Sequence, residues 1–227
     1  MRQYAVIVAG GSGTRMGGGI PKQFRSLLER PVLWWSMKAF HDENPKTELI
    51  LVLPEEFIPL WNDLFATIPE KDRFEHLVTI GGNTRTESVV NGIGLIEDED
   101  SLVAIHDGAR PLVTKEIIHQ GFLLAGAEGA AVPVVPVTDS LRKLNGDSSE
   151  CVDRNRFVAV QTPQVFKTLL LKKAYREAED DKVFTDDASV VERMDQKIAL
   201  FEGSHNNIKI TNPKDLAIAE LLMGRDA

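Results

Sequence analysis

A glycine-rich loop near the start of the chain contains cations that could bind phosphate. An apolar run over residues 5–9 leads into residues 10–19, which contain Arg15, and Lys22 follows. Glycines let the backbone approach a ligand closely, and successive backbone N–H groups can cradle phosphate oxygens. Two positive charges suit a triphosphate better than a pyrophosphate, for which one helix N-terminus suffices. The loop therefore predicts a nucleoside triphosphate site; the alternative is a tight turn with two solvated basic residues.

Two common phosphate-binding loops do not match this segment. A P-loop requires a lysine after its second glycine, and Gly19 stands there behind Gly13 and Gly18. The dinucleotide fingerprint requires a third glycine where this chain has Met16. The second mismatch disfavours a nicotinamide-dependent oxidoreductase.

The composition excludes several classes of protein. The 227 residues carry a net charge of −8, so general nucleic-acid binding is disfavoured and phosphate must be held by local cations. We find no signal peptide and no apolar run of membrane-spanning length, so no membrane partner is expected. The single Cys151 rules out an internal disulfide, which favours a cytoplasmic protein, and we expect its thiol to be inert.

Apolar runs alternate regularly with helical segments in the first part of the chain. We predict strands at residues 5–9, 48–53, 77–80, 102–105 and 130–135, and helices at 31–40, 57–65, after Thr84 and after Thr114. Glu87 lies three residues after Thr84, which is typical of a capping box. The alternation favours a single α/β domain over residues 1–227, a Rossmann-like three-layer sandwich with a mainly parallel sheet.

Three polar segments follow the predicted strands. They are the glycine loop, residues 81–88 and residues 107–110. Ligands of such sheets bind beyond the carboxyl ends of the strands, so we expect these segments to meet at one crevice.

The regular alternation stops at Pro136. Two extended, polar runs flank Asn145-Gly146-Asp147, and Asn-Gly between such runs predicts a β-hairpin over about residues 137–156. A hairpin with so few apolar residues cannot support itself, so we expect a protruding arm that lies on a second subunit. Residues 207–211 are predicted to be strand-like, with Lys209 pointing at the crevice.

Six short motifs, in one uninterrupted order, resemble a known family. The residues are Ala9-Gly10-Gly11-x-Gly13-Thr14-Arg15-Met16 with Pro21-Lys22-Gln23, His106-Asp107-x-Ala109-Arg110-Pro111, Val152-Asp153-Arg154-Asn155, Gln161-Thr162-Pro163-Gln164, Thr185-Asp186-x-Ala188-Ser189 and Asn207-Ile208-Lys209-Ile210-Thr211. The first is similar to the signature of the nucleotide-sugar pyrophosphorylase-like nucleotidyltransferases. All six together resemble the 2-C-methyl-D-erythritol 4-phosphate cytidylyltransferases, and ribitol-5-phosphate cytidylyltransferases are the nearest alternative.

The resemblance implies a reaction and a set of site residues. CTP and a methylerythritol phosphate would give a CDP-alcohol and pyrophosphate with Mg2+, in the non-mevalonate route to isoprenoids and in a homodimer with embracing arms. It implies catalytic roles for Arg15, Lys22, Arg154 and Lys209. It implies nucleotide binding by Ala9, Gly10, Gly11, Gly13, Thr14, Gly82, Asn83, Ser88 and Gly108. Acceptor binding would fall to Asp107, Arg110, Ser140, Thr162 and Thr185, with Asp107 also a weak candidate for metal binding.

Two positions depart from the family pattern, and several residues have a simpler interpretation. Ser140 replaces a usual Thr and keeps the hydroxyl, whereas Asn83 replaces a common Asp beside the cytosine. We expect His106 to be a packed, hydrogen-bonded histidine, and residues 186–187 to be helix N-terminal charges. Two further functions stay open: a non-catalytic nucleotide-binding regulator, which would not need Arg154 and Lys209, and a structural dimerisation protein, which would not need the glycine loop.

Overall fold

A computed structural model describes residues 1–10, 20–178 and 184–224 of the chain. Within them the strands are β1 Gln3–Val8, β2 Ser26–Leu27, β3 Arg30–Pro31, β4 Glu48–Leu53, β5 Leu77–Ile80, β6 Leu102–Asp107, β7 Ala130–Pro136, β8 Leu141–Asn145, β9 Ser148–Val152, β10 Val158–Val160, β11 Gln164–Lys167 and β12 Ala199–Glu202. The α-helices are α1 Val32–Glu43, α2 Ile58–Ala66, α3 Arg85–Gly94, α4 Lys115–Glu128, α5 Thr168–Glu177, α6 Ala188–Val191 and α7 Pro213–Met223.

Eight of these strands form one mostly parallel sheet. Its order is β5-β4-β1-β6-β11-β7-β10, and β12 pairs in parallel with β7. Strands β5, β4, β1 and β6 are parallel neighbours, as the strand–helix alternation predicted. Only β11 and β10 run the other way, which the sequence did not predict. The carboxyl ends of the four parallel strands therefore share one edge of the sheet.

Helices cover both faces of this sheet, which confirms the predicted three layers. Alternation along β1 sends Ala5 and Ile7 to one face and Val6 and Val8 to the other. The first face packs on α1, α2 and α4, and the second on α3, α5 and α6. Both faces of β1 are thus buried, which explains its unbroken apolar run.

The prediction that residues 207–211 are strand-like was wrong. Alternation of Ile208, Lys209 and Ile210 resembles a strand, but this segment pairs with no strand of the sheet. Ile210 N donates to the Ala109 carbonyl at 2.8 Å, and Asn207 N donates to the Ser204 carbonyl at 2.9 Å. The segment is an irregular loop that turns at Asn207 and is attached just beyond the end of β6 by the bond from Ile210 to Ala109.

The predicted hairpin exists as β8 and β9, and its turn lies within the predicted Asn145-Gly146-Asp147. Asn145 pairs with Ser148, so Gly146 and Asp147 form the loop, and Gly146 takes a φ of +60°. That left-handed conformation favours glycine. The two strands pair only with each other, and most of their residues are exposed. The hairpin therefore protrudes from the sheet as an arm.

Candidate active site

A cleft of about 300 Å³ opens at the carboxyl ends of β1, β5 and β6. The described residues that line it are Val8, Ala9, Gly10, Lys22, Gln23, Gly82, Asn83, Thr84, Arg85, Ser88, Asp107, Ala109 and Lys209. The segments after β5 and β6 meet there with Gly10, as the sequence predicted. Three cations face one carboxylate, so this lining is net positive although the whole chain carries −8. The cleft is therefore suited to a highly charged anion.

Eight of the residues predicted to form the site line this cleft. They are Ala9, Gly10, Lys22, Gly82, Asn83, Ser88, Asp107 and Lys209. Four others, Gly11, Gly13, Thr14 and Arg15, lie outside the described residues. The nearest described part of the glycine loop is anchored by Gln23, whose amide Nε2 donates to the Ala9 carbonyl at 2.9 Å.

The wall after β5 is built by the start of α3. The Thr84 hydroxyl accepts from Glu87 N at 3.1 Å, which confirms the N-cap. The Glu87 carboxylate accepts from Asn83 N at 2.7 Å, one residue before the position of an ideal capping box. Ser88 Oγ accepts from Gly82 N at 3.1 Å and donates to the Thr84 carbonyl at 2.9 Å. These bonds fix the shape of the loop and aim it at the cleft.

The Asp107 carboxylate lies among three cations at the cleft. Its Oδ2 accepts from Lys209 Nζ at 2.9 Å and from Arg110 Nε at 3.4 Å, whereas Oδ1 lies 3.8 Å from Arg85 Nε. Burial alone would raise the pKa of this carboxyl, but the three surrounding cations outweigh burial and hold the pKa well below its usual range. Asp107 is therefore ionised at neutral pH and holds Lys209 in the cleft.

Arg85 lines the cleft, although sequence reasoning did not select it. Its Nη1 and Nη2 donate to Asp187 Oδ1 and Oδ2 at 3.0 and 2.6 Å. The prediction that Asp187 is only a helix N-terminal charge was wrong, because its side chain is fully buried in this ion pair. A signal was available: a cation in the first turn of α3 is unfavourable beside the helix dipole and so implies an acidic partner.

Beneath Asp107, His106 is a packed histidine, as predicted. Its Nε2 lies 3.2 Å from the Arg110 carbonyl, so this nitrogen carries the proton. Its Nδ1 then accepts from the Thr162 hydroxyl at 3.1 Å, and the same hydroxyl accepts from Asp107 N at 3.1 Å. Complete burial lowers the pKa of His106 to about 4. The neutral imidazole supports the cleft rather than taking part in the chemistry.

Lys209 enters the cleft from the irregular loop after β12. Asn207, fully buried, donates through Nδ2 to the Thr162 carbonyl at 3.0 Å. Its own carbonyl accepts from Arg110 Nη1 at 2.7 Å. Arg110 is thus bonded to the loop and to Asp107, so it braces Lys209.

The other predicted site residues do not line the cleft in this single chain. A Cβ on Gly108 would meet Leu33 Cδ1 at 2.8 Å, so this glycine serves packing. Thr185 is exposed, and Thr162 is buried with its hydroxyl engaged below the cleft. Ser140 and Arg154 lie on or beside the arm, both exposed, and Arg154 Nη1 donates to the Thr138 carbonyl.

Few described groups could bind a metal ion. In the described ranges no three His, Cys, Asp or Glu side chains are grouped to hold one. Asp107 is the one carboxylate among the described residues that line the cleft, and its Oδ1 lies 3.8 Å from Arg85 Nε. Mg2+ keeps water and phosphate ligands, so one carboxylate beside a triphosphate fits it.

Comparison with known proteins places the chain in a family. A sequence model of the 2-C-methyl-D-erythritol 4-phosphate cytidylyltransferase family matches residues 3–225. The chain belongs to this family. A family member from Bacteroides fragilis is 46% identical over 225 residues, covering 98% of this chain and all of the relative. Another from Phocaeicola vulgatus is 44% identical over 223 residues, with the same coverage.

Solved structures of cytidylyltransferases share the fold. The Thermus thermophilus 2-C-methyl-D-erythritol 4-phosphate cytidylyltransferase superposes with a TM-score of 0.78 at 33% identity, over 98% of each chain. The Anaerococcus prevotii 4-diphosphocytidyl-2C-methyl-D-erythritol synthase gives 0.84 at 25% identity, over 99% of this chain and 96% of that one. The described helices include none that is long and apolar enough to cross a bilayer.

Proposed function

We propose that this chain transfers the cytidylyl group of CTP to 2-C-methyl-D-erythritol 4-phosphate. The products are 4-diphosphocytidyl-2-C-methyl-D-erythritol and pyrophosphate. Family membership over residues 3–225 supports this reaction and favours it over transfer to ribitol 5-phosphate. The structural observation that best supports this reaction is the net-positive cleft at the carboxyl ends of three strands.

The reaction needs charge neutralisation more than a general base. A phosphate oxygen of the acceptor attacks the α-phosphorus of CTP, a new P–O bond forms, and the bond to the β-phosphate oxygen breaks. The acceptor phosphate is already an anion, so no proton must be removed. The barrier lies in bringing two anions together and stabilising the charge that builds up around the α-phosphorus.

Two groups of cations suit the two anions, which are the triphosphate of CTP and the phosphate of the acceptor. One group lies on the side of the glycine loop and the other on the loop after β12. We assign Lys22, with Arg15 of the glycine loop, to the triphosphate, and Lys209 to the acceptor phosphate. Lys209 reaches the cleft from the loop after β12, with its Nζ 2.9 Å from the Asp107 carboxylate. Asp107 thus holds the lysine in place before the acceptor arrives.

The nucleotide base is assigned to the wall after β5. Gly82, Asn83 and Ser88 lie there, and Ala9 and Gly10 line the same cleft. Because Ser88 Oγ already bonds within the loop, we assign it to shaping the pocket, and the backbone of residues 82–83 to reading the cytosine edge. The acceptor hydroxyls are assigned to Asp107 and Thr185, with Arg110 and Thr162 supporting them.

Mg2+ completes this proposal. Asp107 Oδ1 would be its protein ligand, and the triphosphate would supply further oxygens. The ion would add positive charge beside the phosphates.

The arm is assigned to a second subunit. Ser140 and Arg154 are exposed and lie outside the cleft of their own chain, and the strands of the arm pair only with each other. In a two-fold homodimer an exchanged arm would bring these residues to the partner's cleft reciprocally.

An assay of pyrophosphate release tests the reaction. The purified chain with Mg2+ is incubated with CTP, ATP or GTP, each with methylerythritol phosphate or ribitol phosphate. We expect release only with CTP and methylerythritol phosphate. Preferential use of ribitol phosphate would establish the alternative, and no release with any pair would contradict a transferase.

A further inference from the structure

A buried polar network lies directly behind the cleft and is not used by the reaction as described above. It consists of Arg85, Asp187, Tyr175 and Gln164, and we call it the Arg85 network. Asp187 Oδ1 accepts from Tyr175 OH at 2.6 Å as well as from Arg85. Gln164 Oε1 accepts from Asp187 N at 3.0 Å and from Ala188 N at 2.8 Å. The Asp187 carboxylate thereby joins α3 to α5, and Gln164 of β11 binds the backbone amides at the start of α6.

Fold stability is a poor explanation for this network. The Asp187 side chain is fully buried, and removing two charges from water costs several kcal/mol per ion. Well-packed apolar residues of similar volume often stabilise a core equally well or better. A fully bonded ion pair does, however, fix the orientation of a guanidinium, because both ends of its planar fork are bound.

The fixed orientation of Arg85 has a consequence in the cleft. With Nη1 and Nη2 bound to Asp187, only the Nε edge is directed at the cleft, and it lies 3.8 Å from Asp107 Oδ1. Lys209 attracts the other oxygen of the same carboxylate. Asp107 thus lies between Lys209 and an arginine whose orientation is fixed by Asp187.

We propose that Arg85 is a positioning residue that orients the Asp107 carboxylate, and that Tyr175 and Asp187 hold Arg85 in place from behind. Tyr175 does not line the cleft among the described residues; it borders a separate groove between α3 and α5. Any effect of its hydroxyl on the cleft therefore passes through Asp187 and Arg85. The kinetic consequence rests on the proposed cytidylyl transfer, whereas the orientation of Asp107 does not.

Two substitutions and their combination test the network. Arg85→Lys keeps the charge but cannot bond Asp187 twice and face Asp107 as well. Tyr175→Phe removes one hydroxyl and keeps the ring. We expect kcat/KM to fall about ten- to a hundredfold for the first, the range for losing a charged hydrogen bond. The fall should be smaller for the second, about two- to tenfold, because Tyr175 acts on Arg85 only through Asp187. The double variant should be no worse than Arg85→Lys alone.

A substitution in a second ion pair provides the control. Arg30 Nη2 lies 3.5 Å from Asp72, away from the cleft lining. Arg30→Lys should leave kcat/KM within about twofold, and melting temperatures identify any loss of fold. If Tyr175→Phe leaves kcat/KM unchanged, or if the losses of the two variants multiply, the network does not act through Arg85 and the proposal is overturned.

A readout independent of turnover separates this proposal from the proposed reaction. The 13C chemical shift of the Asp107 carboxylate is measured at one fixed pH in the wild type and in each variant. We expect it to move in Arg85→Lys and, in the same direction, in Tyr175→Phe, but not in Arg30→Lys. An unchanged shift in Tyr175→Phe overturns the network even if the enzyme is active. A wild type without turnover contradicts the reaction alone.

Discussion

The cleft and the arm differ in how far contacts within their own chain fix their geometry. Around Asp107 every charged side chain is bonded to another element: Lys209 comes from the loop after β12, Arg85 from α3 and Arg110 from the segment after β6. The arm of β8 and β9 has only its own ladder, and Arg154 at its base bonds to the nearby Thr138 carbonyl. The cleft is preorganised by its own chain, whereas the arm needs an external surface to fix its geometry.

This difference divides the proposed chemistry between two chains. Groups that must be placed accurately for a growing charge lie in the interlocked cleft, where reorganisation is small. Ser140 and Arg154 lie on or beside the arm, which in our proposal is immobilised by a partner subunit. The substitutions described below separate the two regions, beginning with the largest expected effect.

Lys22→Ala should reduce kcat by at least about a hundredfold. Loss of one contact that strengthens in the transition state costs about 3 kcal/mol or more, and each 1.4 kcal/mol is tenfold in rate. We expect the same of Arg15→Ala, with unchanged melting temperatures. Lys46→Ala, an exposed lysine just before the amino end of β4, is the matched control. Wild-type turnover by a folded Lys22→Ala protein would remove this lysine from the mechanism.

Acid should destabilise the protein through the histidine beneath the cleft. Complete burial lowers the pKa of His106 to about 4, below its ordinary 6.5. The unfolded chain therefore binds more protons between these two values, so stability falls as the pH falls from about 6.5 to 4, by about 3 kcal/mol in total. The charged groups that face His106 are Asp107, Arg110 and Lys209.

Denaturant unfolding at a series of pH values measures this effect. His106→Gln should flatten the dependence of the unfolding free energy on pH in that window, and the exposed His205→Gln controls for removing a histidine. An equal slope in His106→Gln and wild type would show that this residue is not buried in the neutral form.

Lys209→Ala should weaken use of the acceptor far more than binding of CTP. Loss of a charge-assisted hydrogen bond costs about 1.5–3 kcal/mol, so we expect the acceptor KM to rise about ten- to a hundredfold. Calorimetry should give a CTP affinity within about threefold of wild type. Equal losses for both substrates would place Lys209 on the nucleotide.

Two glycine substitutions compare the regions directly. In Gly108→Ala the new methyl group would lie 2.8 Å from Leu33 Cδ1 and 3.0 Å from Ala9 Cβ, and such overpacking costs about 1–3 kcal/mol. Gly146→Ala meets nothing within 4 Å and is strained only by its φ of +60°. Its effect on the free energy of unfolding should be smaller, because the arm lies outside the sheet and its two cores. The reverse order in chemical unfolding would mean that the arm is part of the core.

Much of the fold could be predicted from local sequence, because each central strand is a single apolar run buried on both faces. Residues 48–53 and 77–80 have the predicted bounds as β4 and β5. The loop that carries Lys209 could not be predicted, since its alternating pattern serves anchoring at Ile210 rather than strand pairing.

The site residues that directly follow strands could be predicted from the sequence. Those whose bonding partners are distant in the sequence were missed. Arg85 and Asp187 are 102 positions apart, so no local pattern shows that they pair. Gly108 and Thr162 were assigned to ligands, but the structure places them in packing and in the bonds of His106. The proposed roles of Ser140 and Arg154 require a second chain, and the single chain shows only that both residues are exposed and lie outside its own cleft.

Complementation between two inactive variants tests the central claim, that one subunit's cleft is completed by the partner's arm. Lys22→Ala and Arg154→Ala homodimers are each expected to be inactive. Co-refolded mixtures should regain activity, because a mixed dimer has one site with Lys22 from one chain and Arg154 from the other. Formation of mixed dimers is verified with two distinguishable affinity tags. Activity that rises with the fraction of mixed dimers is the predicted result; verified mixed dimers as inactive as both parents would show that Arg154 serves its own subunit and would contradict the account.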